Sequence, residues 1–173
     1  MHFATFHDLE DQSVFITGGG SGIGADLTRG FLSQGAKVTF IQRSYPEKIL
    51  AECEGKYKHD LSFIQCDVTK TKELKKALQA TENKQGPVSI LVNNAANDTR
   101  HTLGEFTSEQ WDDAMNVNLK PHFFAAQEVV EGMKKNGGGS IINFSSISYM
   151  MGNKGYPAYA TAKSAITGLT RCL

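Results

Sequence analysis

Five times along this chain a short β-prone apolar run gives way to a stretch whose apolar side chains return every three or four positions. Few architectures accommodate that alternation. The runs are VFIT (14–17), KVTFI (37–41), LSFIQC (61–66), VSILVNN (88–94) and the glycine-led GGGSIINFSS (137–146). The intervening pattern predicts a helix carrying Ile23, Leu27 and Phe31 that closes near Gly35, then a short helix from about Pro46. Further helices are predicted over 70–85, over 107–135 with Thr107 or Ser108 as cap, and from 157 onward. Pro121, inside the long helix, kinks it or removes one hydrogen bond. Strands joined by helical crossovers run parallel with right-handed connections. The fold class is therefore α/β: a doubly wound parallel sheet in a three-layer α/β/α arrangement, with strand order 3-2-1-4-5. A ligand belongs beyond the carboxyl ends of strands one and four.

Composition narrows the function. The 173 residues fit one domain, and 18 basic residues balance 18 acidic ones. With no basic stripe, nucleic acid is not an expected partner. The three cysteines (Cys53, Cys66 and Cys172) are odd in number and widely spaced, which predicts free thiols rather than a disulfide framework or a metal site. The opening MHFATFHDLEDQ lacks the basic start and apolar run of a leader, and no apolar stretch approaches a membrane span. The expectation is a cytoplasmic protein without a membrane partner.

TGGGSGIG (17–24) falls between the first strand and its helix. Glycines there let the backbone turn tightly and approach a pyrophosphate, while the following helix turns its first amides and positive dipole end toward the oxygens. Gly18, Gly20, Ser21, Gly22, Ile23 and Gly24 are the candidate phosphate-binding residues of a Rossmann-type fold. At the end of the second strand a carboxylate would hold the adenosine ribose, whereas an arginine would favour a 2′-phosphate. The chain has Gln42-Arg43-Ser44 there, which leans toward NADP over NAD. Asp67, followed by Val68, either accepts from the adenine amino group or caps the next turn.

Tyr159 and Lys163 are four residues apart, so they share a helix face, and a cation beside a phenol favours its ionised form. Ser146, thirteen residues earlier at the end of the fifth strand, would converge on the same crevice. In this reading Tyr159 removes an alcohol proton as hydride leaves and returns it in reduction. Ser146 hydrogen-bonds the same substrate oxygen, and Lys163 also holds the nicotinamide ribose.

Thr17-Gly18-x-x-x-Gly22-Ile23-Gly24, NNAA (93–96), Asn118 in NVNL, Ser146 and Tyr159-x-x-x-Lys163, in that order, resemble the short-chain dehydrogenase/reductase family over nearly the whole chain. The resemblance implies an NAD(P)-dependent oxidoreductase acting on a small-molecule alcohol or carbonyl. Asn93 to Ala95, Asn94 among them, would stabilise the central sheet and line the cofactor, and Asn118 would anchor a water that relays protons through Lys163. Ala96 departs from the family's usual glycine. NNAANDTRH (93–101) and INFSSISYMMG (142–152) resemble the branch that oxidises aldoses at the anomeric carbon. There Asn97, Asp98, Arg100 and His101 would satisfy sugar hydroxyls; the alternative is a loop that pins itself by local side-chain bonds.

Family members continue past residue 173, so the resemblance implies a single dinucleotide-binding domain over 1–173 that is incomplete at its C-terminus, lacking the last two strands and a substrate-covering loop. SIINF is then an exposed sheet edge, and Ala162, Ile166 and Leu169 are short of neighbours, predicting low stability and weak activity. The alternative to an enzyme is a non-catalytic, truncated nucleotide-binding module. An intact version would form a homo-oligomer through the helices near 108–135 and from 158.

Overall fold

The computed structural model describes residues 4–173. The first three, part of the stretch scanned for a leader, lie outside the described residues. The elements in chain order are β1 (Ser13–Thr17), α1 (Gly22–Ser33), β2 (Lys37–Gln42), α2 (Glu47–Cys53), β3 (Ser62–Gln65) and α3 (Thr71–Gln85). They continue with β4 (Ile90–Asn93), α4 (Ser108–Asn118), α5 (Lys120–Lys135), β5 (Ser140–Asn143) and α6 (Pro157–Cys172). Two single 3-10 turns, His7–Leu9 and Ile147–Tyr149, are too short to leave a periodic signal in sequence.

All five strands are parallel, in the order β3-β2-β1-β4-β5. β1 is buried along its whole length, as a central strand covered on both faces must be. Its side chains alternate between two cores. Phe15 joins Leu74, Leu78, Leu91, Val129 and Met133 beneath α3 and α5, while Val14 and Ile16 join Leu32, Val38, Phe40 and Ile49 beneath α1 and α2. These two layers of side chains hold the sheet between its helices and fix where the carboxyl ends of the strands emerge.

Three expectations need correction. The long helix over 107–135 is two helices, parted at Leu119, whose φ and ψ of −129° and −55° leave the helical region. Pro121 sits in the first turn of α5, where its missing N–H costs nothing. Thr107 and Gln110 form a reciprocal capping box that starts α4. On α1, Gly24, Ala25, Thr28 and Leu32 are the buried residues; of the expected stripe Leu27 and Phe31 pack half-buried against the core, and Ile23 alone is exposed. Ala162 and Ile166 are fully buried, because α4 packs along α6; of the three residues expected to lack neighbours, only Leu169 is half-exposed.

β5 does lie at the sheet edge, bonded only to β4, with Ile142 exposed. All three cysteines are free, Cys53 and Cys66 in the core and Cys172 exposed. Among the described residues, no helix is long and apolar enough to cross a membrane.

Candidate active site

The carboxyl ends of β1 to β4 open into one groove of about 920 Å³. Its walls are the glycine turn, Ile41 to Ser44 at the end of β2, Cys66 to Thr69 after β3, and Asn94 to Asp98 after β4. Asn94 stitches the first wall to the last: its side-chain amide donates to the carbonyls of Thr17 and Gly18, both at 3.1 Å. The Thr17 hydroxyl accepts from the backbone of Asn94 (2.9 Å) and Ala95 (3.0 Å).

The glycine turn fits a phosphate. Gly18 and Gly22 hold φ of +70° and +49°, which side-chain-bearing residues rarely adopt. A Cβ at Gly22 would meet open space, so the backbone there faces the groove bare. No side chain caps the N-terminus of α1, and its first amides remain available to an anion. Gly20 is the exception. It does not line the groove, and the Gln42 carboxamide packs against its Cα, held there by a 2.8 Å bond from Gln42 Nε2 to the Ser44 carbonyl.

Arg43 lies on the groove wall, exposed, and forms no ion pair among the described residues. One oxygen of Asp67 accepts from the Thr69 N–H (2.9 Å) and hydroxyl (2.8 Å). The turn-capping role is therefore filled, while Asp67 and Val68 also face the groove.

A second cavity, about 180 Å³, adjoins the first: Asn97, Asp113 and Val117 line both. Tyr159 forms part of its wall, with Thr99, His101, Phe106, Gln110 and Ala114. Lys163 is 1 % exposed, and its Nζ lies 5.7 Å from the Tyr159 ring centroid. The ammonium donates to the Phe144 carbonyl at 2.7 Å, and the Ser145 hydroxyl donates to the Lys163 carbonyl at 2.7 Å. These two bonds tie the end of β5 to the helix that carries Tyr159.

Ser146, next in the chain, lines neither cavity; its Oγ accepts from the Ser148 N–H at 3.2 Å. Burial pushes the Lys163 ammonium down to about 8 from 10.5. Asn118 is fully buried and also lines neither cavity; its side chain brackets the backbone of Asn97, accepting from its N–H (2.8 Å) and donating to its carbonyl (2.9 Å).

Sequence reasoning passed over Asp113, Ala114 and Val117. The usable signal was their spacing, which puts them on one face of α4 and leads to Asn118. The polar loop after β4 divides its side chains. Arg100 lies 3.9 Å from the Tyr156 ring centroid, and both His101 ring nitrogens are bonded within the protein, leaving Asn97 and Asp98 on the groove. No three His, Cys, Asp or Glu side chains among the described residues converge to hold a metal.

His122, unremarked in sequence, is 1 % exposed, and neither ring nitrogen has a well-formed hydrogen bond, the Asn93 backbone being the polar group nearby. Burial first, and the Lys163 ammonium second, hold its pKa down to about 3 from 6.5. An unfolded chain takes up a proton near the higher value that the native state refuses until the lower. Stability therefore falls as pH drops through that window. Urea unfolding is expected to show about 2 kcal/mol lost between about pH 6.5 and about pH 4.5 through this group. His122→Leu should remove that part of the acid slope; an unchanged slope would contradict the assignment.

Residues 12–173 match the family model described as short chain dehydrogenase. The chain is 45 % identical to "Probable galactose dehydrogenase GalD" of Rhizobium meliloti (strain 1021), covering 97 % of this chain and 66 % of that protein. It is 43 % identical to D-xylose 1-dehydrogenase of Caulobacter vibrioides, over 100 % of this chain and 68 % of that one. The ligand-free aldohexose dehydrogenase of Thermoplasma acidophilum superposes with a TM-score of 0.85 at 30 % identity, over 96 % of this chain and 62 % of that chain. The chain thus spans about two thirds of the length of the proteins it matches.

Proposed function

This chain belongs to the short-chain dehydrogenase family, and from that premise we propose that it moves hydride between a nicotinamide dinucleotide in the glycine-turn groove and a sugar hydroxyl or carbonyl held against Tyr159. The observation that carries the reading is the shared wall of the two cavities: Asn97, Asp113 and Val117 line both, and Tyr159 lines the second. The bound nicotinamide supplies the hydride acceptor or, in the reverse direction, the donor.

In oxidation the Tyr159 oxygen, as phenolate, would take the substrate's hydroxyl proton and become the phenol, while the C–H electron pair leaves as hydride to the nicotinamide and a C=O bond forms; in reduction the phenol returns the proton and a phenolate develops. Lys163 keeps its charge beside the phenol in surroundings too dry to screen it, which strengthens its pull on a developing phenolate. The Ser146 Oγ accepts from the Ser148 N–H and walls neither cavity, so no substrate contact is assigned to it. Asn118 holds the groove-lining Asn97 from beneath.

The substrate we infer is an aldose oxidised at the anomeric carbon. Two relatives at 43–45 % identity carry the names of a galactose and a xylose dehydrogenase. The cavity beside Tyr159 mixes Asn97, Thr99, Gln110 and Asp113 with apolar Phe106, Ala114 and Val117, which suits a polyol ring. NADP and NAD reduction would be followed with aldoses, a hydroxysteroid and a 3-hydroxyacyl thioester, in the 173-residue chain and in one extended to its relatives' length. Turnover with aldoses supports the reading, and turnover confined to the thioester or steroid would reject the sugar. Nucleotide binding without turnover in both chains would favour a binding module.

For the nucleotide, the reading is NADP. Arg43, which has no ion-pair partner among the described residues, is a cation on the groove wall, and the end of β2 carries no carboxylate to repel a 2′-phosphate. Arg43→Ala is expected to weaken NADP binding by about 10- to 100-fold, the worth of one charge-assisted contact, and NAD binding by less than about threefold. Calorimetric titration with each nucleotide checks this; equal losses for both would assign Arg43 no part in the choice.

A further inference from the structure

We infer that His101 is a positioning residue for Tyr159: its ring supplies the missing cap of α6 and sets where the phenol stands. The inference rests on the proton-transfer reading of Tyr159 given above. α6 starts badly by its own means. Its N-cap, Tyr156, offers no side-chain hydrogen bond, and Pro157 in the first turn has no N–H. The next orphan amide, Ala158, donates instead to His101 Nε2 at 3.2 Å, across 57 residues of chain.

The other ring nitrogen, Nδ1, lies 3.2 Å from the Thr99 carbonyl oxygen. An amide N–H only donates and a carbonyl only accepts, so both partners fix the ring: neutral, with hydrogen on Nδ1 and none on Nε2. The ring also stacks on Phe106, centroids 3.8 Å apart, and the His101 N–H donates to the Gly155 carbonyl at 2.8 Å. Ala158 directly precedes Tyr159, and the loop that holds it is itself anchored at Asn97 by Asn118. Asn118 thereby reaches Tyr159 through backbone and imidazole, its own side chain bonding only to the Asn97 and Ala114 backbone among the described residues.

The test separates packing from positioning. His101→Phe keeps a ring on Phe106 but loses the acceptor; His101→Gln keeps an acceptor on a flexible stem. Turnover of an aldose is expected to fall by about 10²-fold in His101→Phe, the scale of an ångström-level misplacement, with nucleotide affinity unchanged. His101→Gln should recover most of the loss. In the unmodified protein, two-dimensional NMR of the imidazole should show the Nδ1–H tautomer, and hydrogen exchange at Ala158 should quicken in His101→Phe.

The Nε2–H tautomer, full turnover in His101→Phe, or loss of nucleotide binding in that variant would each overturn the inference. If Tyr159→Phe retains turnover, the proton-transfer reading fails instead, while the tautomer and the Ala158 exchange rate still decide whether His101 caps the helix.

Discussion

Tyr159→Phe is expected to lower turnover by about 10²- to 10⁴-fold, the contribution of a positioned general acid or base. Nucleotide affinity and fold stability should stay where they were. The variant keeps the ring, which packs edge-on to Tyr156 at 5.6 Å between centroids, and deletes only the oxygen. The neighbours that give this oxygen its role remain: Lys163 stays buried, bonded to the Phe144 carbonyl and tied through Ser145 to β5. A fall in kcat at constant nucleotide affinity therefore reports lost proton transfer. A fall in nucleotide affinity alone would show that Tyr159 serves binding.

Gly24→Ala should have the other large effect, at the opposite end of the groove. A Cβ there would run into the Gly18 carbonyl, closer than any real Cβ stands to backbone, and would lie 2.7 Å from the Asn94 amide nitrogen. Neither neighbour gives way freely. Gly18 is fixed by its positive φ and by a 2.7 Å bond from its N–H to the Ile41 carbonyl, and the Asn94 amide holds the Thr17 and Gly18 carbonyls. The start of α1 has to move away, costing about 1–3 kcal/mol in stability.

With the start of α1 go the amides aimed at the phosphates; losing two charge-assisted bonds weakens nucleotide binding by about 100-fold or more. Gly30→Ala in the same helix is the control, because a Cβ there meets nothing and Ala is the better helix former. Binding by Gly24→Ala within about threefold of the parent would reject this view of the turn.

The fold could be read from sequence because its signals are local. β1 announces itself by four β-prone residues, and the crossover rule orders the strands once helices separate them. What escaped depends on partners distant in sequence. Ala162 and Ile166 looked exposed because nothing nearby in sequence covers them, and α4 does. One long periodic stretch looked like one helix, since periodicity survives the break at Leu119.

The site divides the same way. Tyr159 and Lys163 are legible because one helical turn brings them together, whereas the role of His101 rests on a bond across 57 residues. Read alone, His101 is one polar residue in a polar loop.

Hydride transfer itself can be followed most directly with an aldose carrying deuterium at its anomeric carbon. After incubation with NADP, mass spectrometry of the recovered nucleotide should find deuterium on the reduced nicotinamide for the unmodified protein and almost none for Tyr159→Phe at equal nucleotide occupancy. Reduced nucleotide without the label, or equal label in both proteins, would contradict a groove that delivers hydride to a site where Tyr159 moves the proton.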